Sequence, residues 1–242
     1  MNDLAAEFAH RWSLRVGEPY PAEAGESWVA PAERADGSAA VLKIVMQHME
    51  ARDEIAGLRF WNGDPTVRVL EADVEHWAIL LERCVPGTPL RERPEEEQDE
   101  VIAGLLHRLW RVPPAGTFRP LTEMIELWAD EATDAEAAAI LRELAHSSDD
   151  EVLLATDLHA GNVLAAEREP WLVIDPKPFV GDRCYDATQH LLNCKRLDVE
   201  PHATVRRVAD LLGVDRERVR LWTMARAATD ADRPAVARAL GE

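Results

Sequence analysis

Lysine is scarce in this chain: the 27 Lys+Arg residues include only Lys43, Lys177 and Lys195 as lysines. Cysteine is equally sparse. Cys84, Cys184 and Cys194 are an odd number, widely spaced and without a Cys-x-x-Cys pair, which argues against a disulfide framework or a zinc site and for buried free thiols. No run approaches the roughly 18 apolar residues of a membrane span. The start, MNDLAAEFAHRW, has acids where a signal peptide needs a basic region, so a cytoplasmic location is expected. No Gly-x-Ser-x-Gly elbow and no His-Glu-x-x-His metal helix occurs. Positive charge is also in deficit. Against 45 Asp+Glu the net charge is −18, which repels phosphate backbones and anionic lipid and so argues against nucleic-acid and membrane partners. The same balance suits a cationic small molecule, and it also serves plain solubility. The acids are spread along the chain, so they mark no site by themselves.

What is present can bury a core: 242 residues, 47% of them hydrophobic, room for one large domain or two small ones. Leu4, Phe8 and Trp12 recur every four residues and predict an amphipathic helix. Residues 27–46 predict a hairpin, with Ala35-Asp36-Gly37-Ser38 as its turn. A helix through Ile55, Leu58 and Trp61 follows, stopped by Asn62-Gly63-Asp64-Pro65, and VRVLEA and WAILLERC read as two more strands. VPGTPL reads as a linker. Pro94 then opens a helix with Glu95, Glu96 and Glu97 in its first turn and Val101, Leu105 and Leu109 as its buried stripe. A helical region over about 120–146, three short apolar runs (VLLA, NVLAA, WLVID) and helix from Asp186 onward complete the plan. Trp12, Trp61, Trp110, Trp128 and Trp222 fall at apolar helical positions, as core residues do. A strand-rich lobe (1–84), a hinge and a larger helical lobe (85–242) are expected, with a ligand held between them.

The chemistry concentrates in TDLHAGNVLAAEREPWLVIDPKP. It places Asp157, then Asn162 five positions on, then Asp175 at the end of the apolar run Trp171–Ile174. A carboxylate ending a buried strand is costly unless paired or metal-bound. Phosphoryl transfer needs these parts: a carboxylate to accept a hydroxyl proton, and an amide with a second carboxylate to hold magnesium. The Asp157–Asn162 spacing alone also fits an Asx-capped turn. Lys43 adds to the pattern from inside the apolar strand VLKIV, with Glu54 eleven residues later in the next helix. The competing reading of Lys43 is an edge-strand lysine that blocks sheet aggregation.

The run Asp157-Leu-His-Ala-Gly-Asn162-Val-Leu, then Ile174-Asp175-Pro-Lys-Pro178, then Gly181-Asp182-Arg-Cys-Tyr185-Asp186-Ala-Thr-Gln-His190 resembles the aminoglycoside phosphotransferase superfamily, in its streptomycin 6-kinase and hydroxyurea phosphotransferase branch. SWVAPAERADGSAAVLKIV and LLERCVPGTPL extend the likeness upstream. The resemblance implies an α+β, bilobal protein-kinase-like fold, with a small antiparallel-sheet lobe bearing one helix and a larger, mostly helical lobe. It implies ATP with Mg2+ and O-phosphorylation of a small-molecule hydroxyl, with an antibiotic-resistance role. By position, Asp157 would be the base, Asn162 and Asp175 the magnesium ligands, and Lys43 the phosphate-binding lysine oriented by Glu54. Glu82 to Cys84 would form the hinge along the adenine. Asp186 would brace the catalytic loop, and His159 would shape it. Three departures stand out. Ala155-Thr156 replaces the family's His-Gly, Gly25-Glu26-Ser27 stands in place of a full glycine loop, and the chain looks short. They leave open the alternative of a degenerate kinase-fold module that binds or regulates without turnover. Glu126, Asp130 and Asp198 are unranked candidates for holding the acceptor.

Overall fold

Alternation at period two builds the first sheet. The structure, a computed structural model, describes residues 1–21, 27–229 and 233–242, so Gly25 and Glu26 lie outside the described residues. Five antiparallel strands run β1 (Arg15–Val16), β2 (Trp28–Glu33), β3 (Ala39–Ile44), β4 (Val69–Asp73) and β5 (Ala78–Glu82), in the spatial order β1-β2-β3-β5-β4. The β2–β3 turn is the expected one. Gly37 sits at φ 83°, and Asp36 accepts from the Ser38 N–H (2.9 Å) and hydroxyl (2.6 Å). Ala40, Leu42 and Ile44 of β3 face one way with Ala78 and Leu80 of β5, and helix α1 (Asn2–Arg11) covers them with Ala5 and Phe8. The other face carries Val41, Ile79 and Leu81, covered by Ile55 and Leu58 of helix α2 (Glu54–Trp61). Both faces are covered, which explains why β3 and β5 read as nearly unbroken apolar runs. Asn62, left-handed at φ 49°, ends α2 by donating its N–H to the Leu58 carbonyl.

The fold divides into one unit of Met1–Thr88 with Leu164–Ile174 and another of Pro89–Val163 with Asp175–Glu242. A single cut after Cys84 differs from this. Residues 164–174 join the first unit because Leu164, Ala166, Leu172 and Ile174 pack on the cluster of Val67, Ile79 and Leu81. The first unit holds both helices that the spacing predicted: α1 with Leu4 and Phe8, and α2 with Ile55, Leu58 and Trp61. The predicted linker VPGTPL instead contains the short strand Pro86–Pro89, at the edge of a sheet with Val163–Ala166 and Trp171–Val173. An edge position tolerates prolines, whose missing N–H costs no ladder bond there.

The second unit is mostly helical. In helix Glu95–Leu109 the buried side is Ile102, Ala103, Leu105, Leu106 and Leu109, with Val101 at its margin. The 120–146 region is two helices, Leu121–Glu131 and Ala135–His146. The second is capped by Asp134, which accepts the N–H of Glu136 and Ala137 at 3.0 Å. Strand Glu151–Leu154 pairs antiparallel with Phe179–Asp182, a strand the sequence reading missed. Helix Arg183–Leu192 follows, and Tyr185 meets Trp222 edge-on at 5.2 Å in the core. All three cysteines are buried and free. No described helix is long and apolar enough to cross a membrane.

Candidate functional site

Lys43 lies in β3 between β2 and β5, opposite Val29 and Ile79. It is therefore not on an edge strand, and the aggregation-blocking reading falls. Period two turns its side chain to the α2 face, where Glu54 opens the helix and its Oε1 accepts from Nζ at 2.7 Å. Both side chains are buried, 6% and 1% exposed. Burying such a pair brings little net stability, because desolvation offsets the attraction. A reason other than stability is needed for it.

Glu82 ends β5 and Arg168 clamps it: Nε donates to Oε1 at 2.8 Å and Nη2 to Oε2 at 2.9 Å. The same guanidinium donates to the carbonyls of Gly63 and Thr66. Burial pushes the Glu82 carboxyl up, but Arg168 and the Arg68 N–H outweigh it and leave it below the usual range. Its own N–H donates to the Arg68 carbonyl. Burial, reinforced by the Glu82 charge, pushes the Cys84 thiol to about 11, so a reactive thiolate is disfavoured there.

In the second unit the chain leaves strand Glu151–Leu154 through a strained turn. Thr156 sits at φ 48° and Asp175 at φ 53°, a region that non-glycine residues occupy at a cost. The Thr156 N–H donates to Asp186 Oδ1 at 2.7 Å, and its hydroxyl donates to the Lys177 carbonyl at 2.5 Å. Where the family pattern has glycine, threonine is thus held in place by hydrogen bonds rather than loosening the loop. Asp186 is fully buried. It also accepts the Ala155 N–H (3.0 Å) and the Trp110 indole N–H (3.0 Å). Burial raises its pKa to about 6 against the pull of these three donors. This is the bracing expected of it.

Asp157 and Asn162 come together. The Asn162 amide donates to the Asp157 carbonyl at 3.0 Å and to Oδ2 at 3.3 Å, which turns its own Oδ1 the other way. His159 caps the short 3-10 helix Ala160–Asn162 by accepting the Gly161 N–H at Nδ1. Burial, then the neighbouring His190 and Arg91, depress its pKa, which fits a loop-shaping residue. Asp175 is paired with the buried Lys177 ammonium. The Lys177 N–H returns to the Ala155 carbonyl at 2.8 Å, which ties the Asp175 segment to the 155–162 loop.

Several residues here escaped the sequence reading. Lys177 could have been found as one of three lysines in a motif already singled out. Gln189, which bonds Asp157, lay in the quoted run without a role, and Arg226, which bonds Gln189, offered no local signal. The candidate acceptor acids are already engaged: Glu126 and Asp130 with Arg142, and Asp198 with Arg233. A cationic ligand would have to displace those arginines. Asp99, His190 and Cys194 bring three ligand atoms within 4.8 Å of one another. Arg196 and Arg207 already ion-pair with Asp99, and two arginines beside it work against a metal ion.

A family model described as aminoglycoside/hydroxyurea antibiotic resistance kinase matches residues 11–236. The chain is 39% identical over 238 residues to hydroxyurea phosphotransferase of Kitasatospora aureofaciens, covering 91% of this chain and 69% of that protein. It is 40% identical over 246 residues to streptomycin 6-kinase of Streptomyces griseus, covering 92% and 79%. Among solved structures, choline kinase LicA from Streptococcus pneumoniae superposes with a TM-score of 0.66 at 14% identity, over 99% of this chain and 92% of that one. The last likeness is one of fold.

Proposed function

The chain belongs to the aminoglycoside/hydroxyurea antibiotic resistance kinase family, and from that premise we propose that it transfers the γ-phosphoryl group of ATP to a hydroxyl of a small molecule. The observation that supports this most is the buried Lys43–Glu54 pair, since a fold gains little from burying two charges unless one has work to do. In this reading Glu54 holds the Lys43 ammonium toward the α- and β-phosphates. The backbone from Glu82 to Cys84 lies along the adenine, because the Glu82 carboxylate is taken by Arg168. Asn162 and Asp175 would hold magnesium: an amide oxygen and a carboxylate are the hard oxygen donors that ion takes. Bound there, it would neutralise phosphate charge. Asp157 accepts the acceptor's hydroxyl proton as that oxygen bonds to the γ-phosphorus and the bond to ADP breaks.

The acceptor follows from the relatives' own substrates: a streptomycin-type aminoglycoside, or hydroxyurea. The −18 balance favours the cationic aminoglycoside. Mass spectrometry of reactions of ATP with aminoglycosides, hydroxyurea and sugars tests this, and phosphorylated streptomycin is the expected product. Asp157→Ala should lower turnover roughly 10²–10⁴-fold while ATP still binds. Near-normal turnover by that variant would remove Asp157 as the base. ATP binding without product from any acceptor would instead favour the non-catalytic module.

A further inference from the structure

We propose that Gln189, aimed by Arg226, is the positioning residue for the Asp157 carboxylate; this rests on Asp157 being the base. The Gln189 amide donates from Nε2 to Asp157 Oδ1 at 2.9 Å. Its other end, Oε1, accepts from Arg226 Nη2 at 2.7 Å. A guanidinium only donates and an ionised carboxylate only accepts, so the amide fits in one orientation. The flip that would turn its carbonyl on Asp157 would leave two acceptors facing each other and a donor facing a donor.

Arg226 is itself held fast. Nη1 donates to the Thr188 hydroxyl, and the guanidinium lies 5.0 Å from the Tyr185 ring centre and 5.4 Å from that of Trp128. Both ring faces attract the cation. Gln189 stands three residues after Asp186 on helix Arg183–Leu192, so the two share one helix face. That face grips the catalytic loop twice, through the backbone at Ala155 and Thr156 and through the side chain at Asp157.

The chemistry explains why an amide occupies this place. An arginine directly on Asp157 would stabilise its charged form strongly and weaken it as a proton acceptor. The neutral amide fixes the direction of the carboxylate and keeps the full positive charge one side chain away. Asn162 holds Oδ2 at 3.3 Å, so of these two bonds the one from Gln189 is the shorter.

The experiment compares Gln189→Leu, Arg226→Met, Arg226→Lys and Asp157→Ala with the unsubstituted protein. ADP release is followed with streptomycin, with hydroxyurea and with water alone as acceptor, and the KM for ATP is taken from the same curves. Gln189→Leu should lower kcat by up to roughly 10²-fold, the cost of a misplaced group, with the KM for ATP within about twofold. Arg226→Met should lower kcat in the same way, and Arg226→Lys, which can still donate to Oε1, should restore most of it. A kcat for Gln189→Leu within twofold of normal, while Asp157→Ala is inactive, would overturn the proposal and leave the base intact. Full turnover by Asp157→Ala would instead overturn the reading beneath it. The Gln189 side-chain amide protons, observed by ¹⁵N NMR without turnover, provide a second test. They should exchange slowly in the unsubstituted protein and quickly in Asp157→Ala and Arg226→Met. Fast exchange in all three proteins would also overturn the proposal.

Discussion

At the scale of single residues, the buried charges separate stability from function. Glu54→Ala removes the buried carboxylate 2.7 Å from the Lys43 ammonium and should cost about 3–5 kcal/mol, read as a fall in the denaturant midpoint. Lys43→Met combined with Glu54→Leu replaces the pair with apolar side chains and should recover most of that stability while ATP no longer shifts the melting temperature. A double variant that still binds ATP normally would remove Lys43 from the phosphate site. Asp186 is a different case. Its pKa is raised from 3.8 unfolded to about 6 folded, so the protonated form is favoured in the fold. Its stabilising contribution is complete below about pH 4 and is lost as pH rises through about 6. The melting-temperature advantage of the unsubstituted protein over Asp186→Asn should therefore narrow between those pH values; a gap independent of pH would contradict this.

At the scale of elements, two devices hold segments that periodicity alone leaves loose. Asp134 caps helix Ala135–His146, and Asp134→Ala should cost about 1 kcal/mol. Arg168 ties the 164–174 segment to β5 and to the carbonyls of Gly63 and Thr66. Arg168→Ala leaves Glu82 and two carbonyls without that donor and should cost about 2–3 kcal/mol. Hydrogen exchange should locate the loss in residues 164–174 and the end of β5; uniform loss across the first unit would argue against a local clamp.

At the scale of the whole molecule, the −18 balance acts on encounter rather than on chemistry. Field over an acidic surface raises the local concentration of a cation and is screened within about 10 Å at 0.1 M salt. If streptomycin is accepted, its KM should rise with ionic strength, while the KM of uncharged hydroxyurea should stay nearly constant. Equal salt responses for both would remove the charge balance from acceptor selection.

Much of this molecule was legible in its sequence because the relevant forces are local. The apolar run around Lys43, the Asp36-Gly37 turn, the Asn62 stop and the Asp157–Asn162 spacing all lie within one element or one turn, where local pattern and backbone preference decide. The sequence alone thus determined the β2–β3 hairpin, both helices of the first unit and the spacing of the 157–162 loop. The short strand at Pro86–Pro89 and the strand Phe179–Asp182 were missed because their partners, not their own residues, make them strands. Tertiary structure alone decided what holds the Asp157 carboxylate. Gln189 is 32 residues from Asp157, Arg226 is 37 from Gln189, and Arg168 is 86 from Glu82. Single hydrogen bonds across such separations leave no periodic trace. They exist because packing a helix against the loop brings a donor and an acceptor together, and burial makes an unmet partner costly.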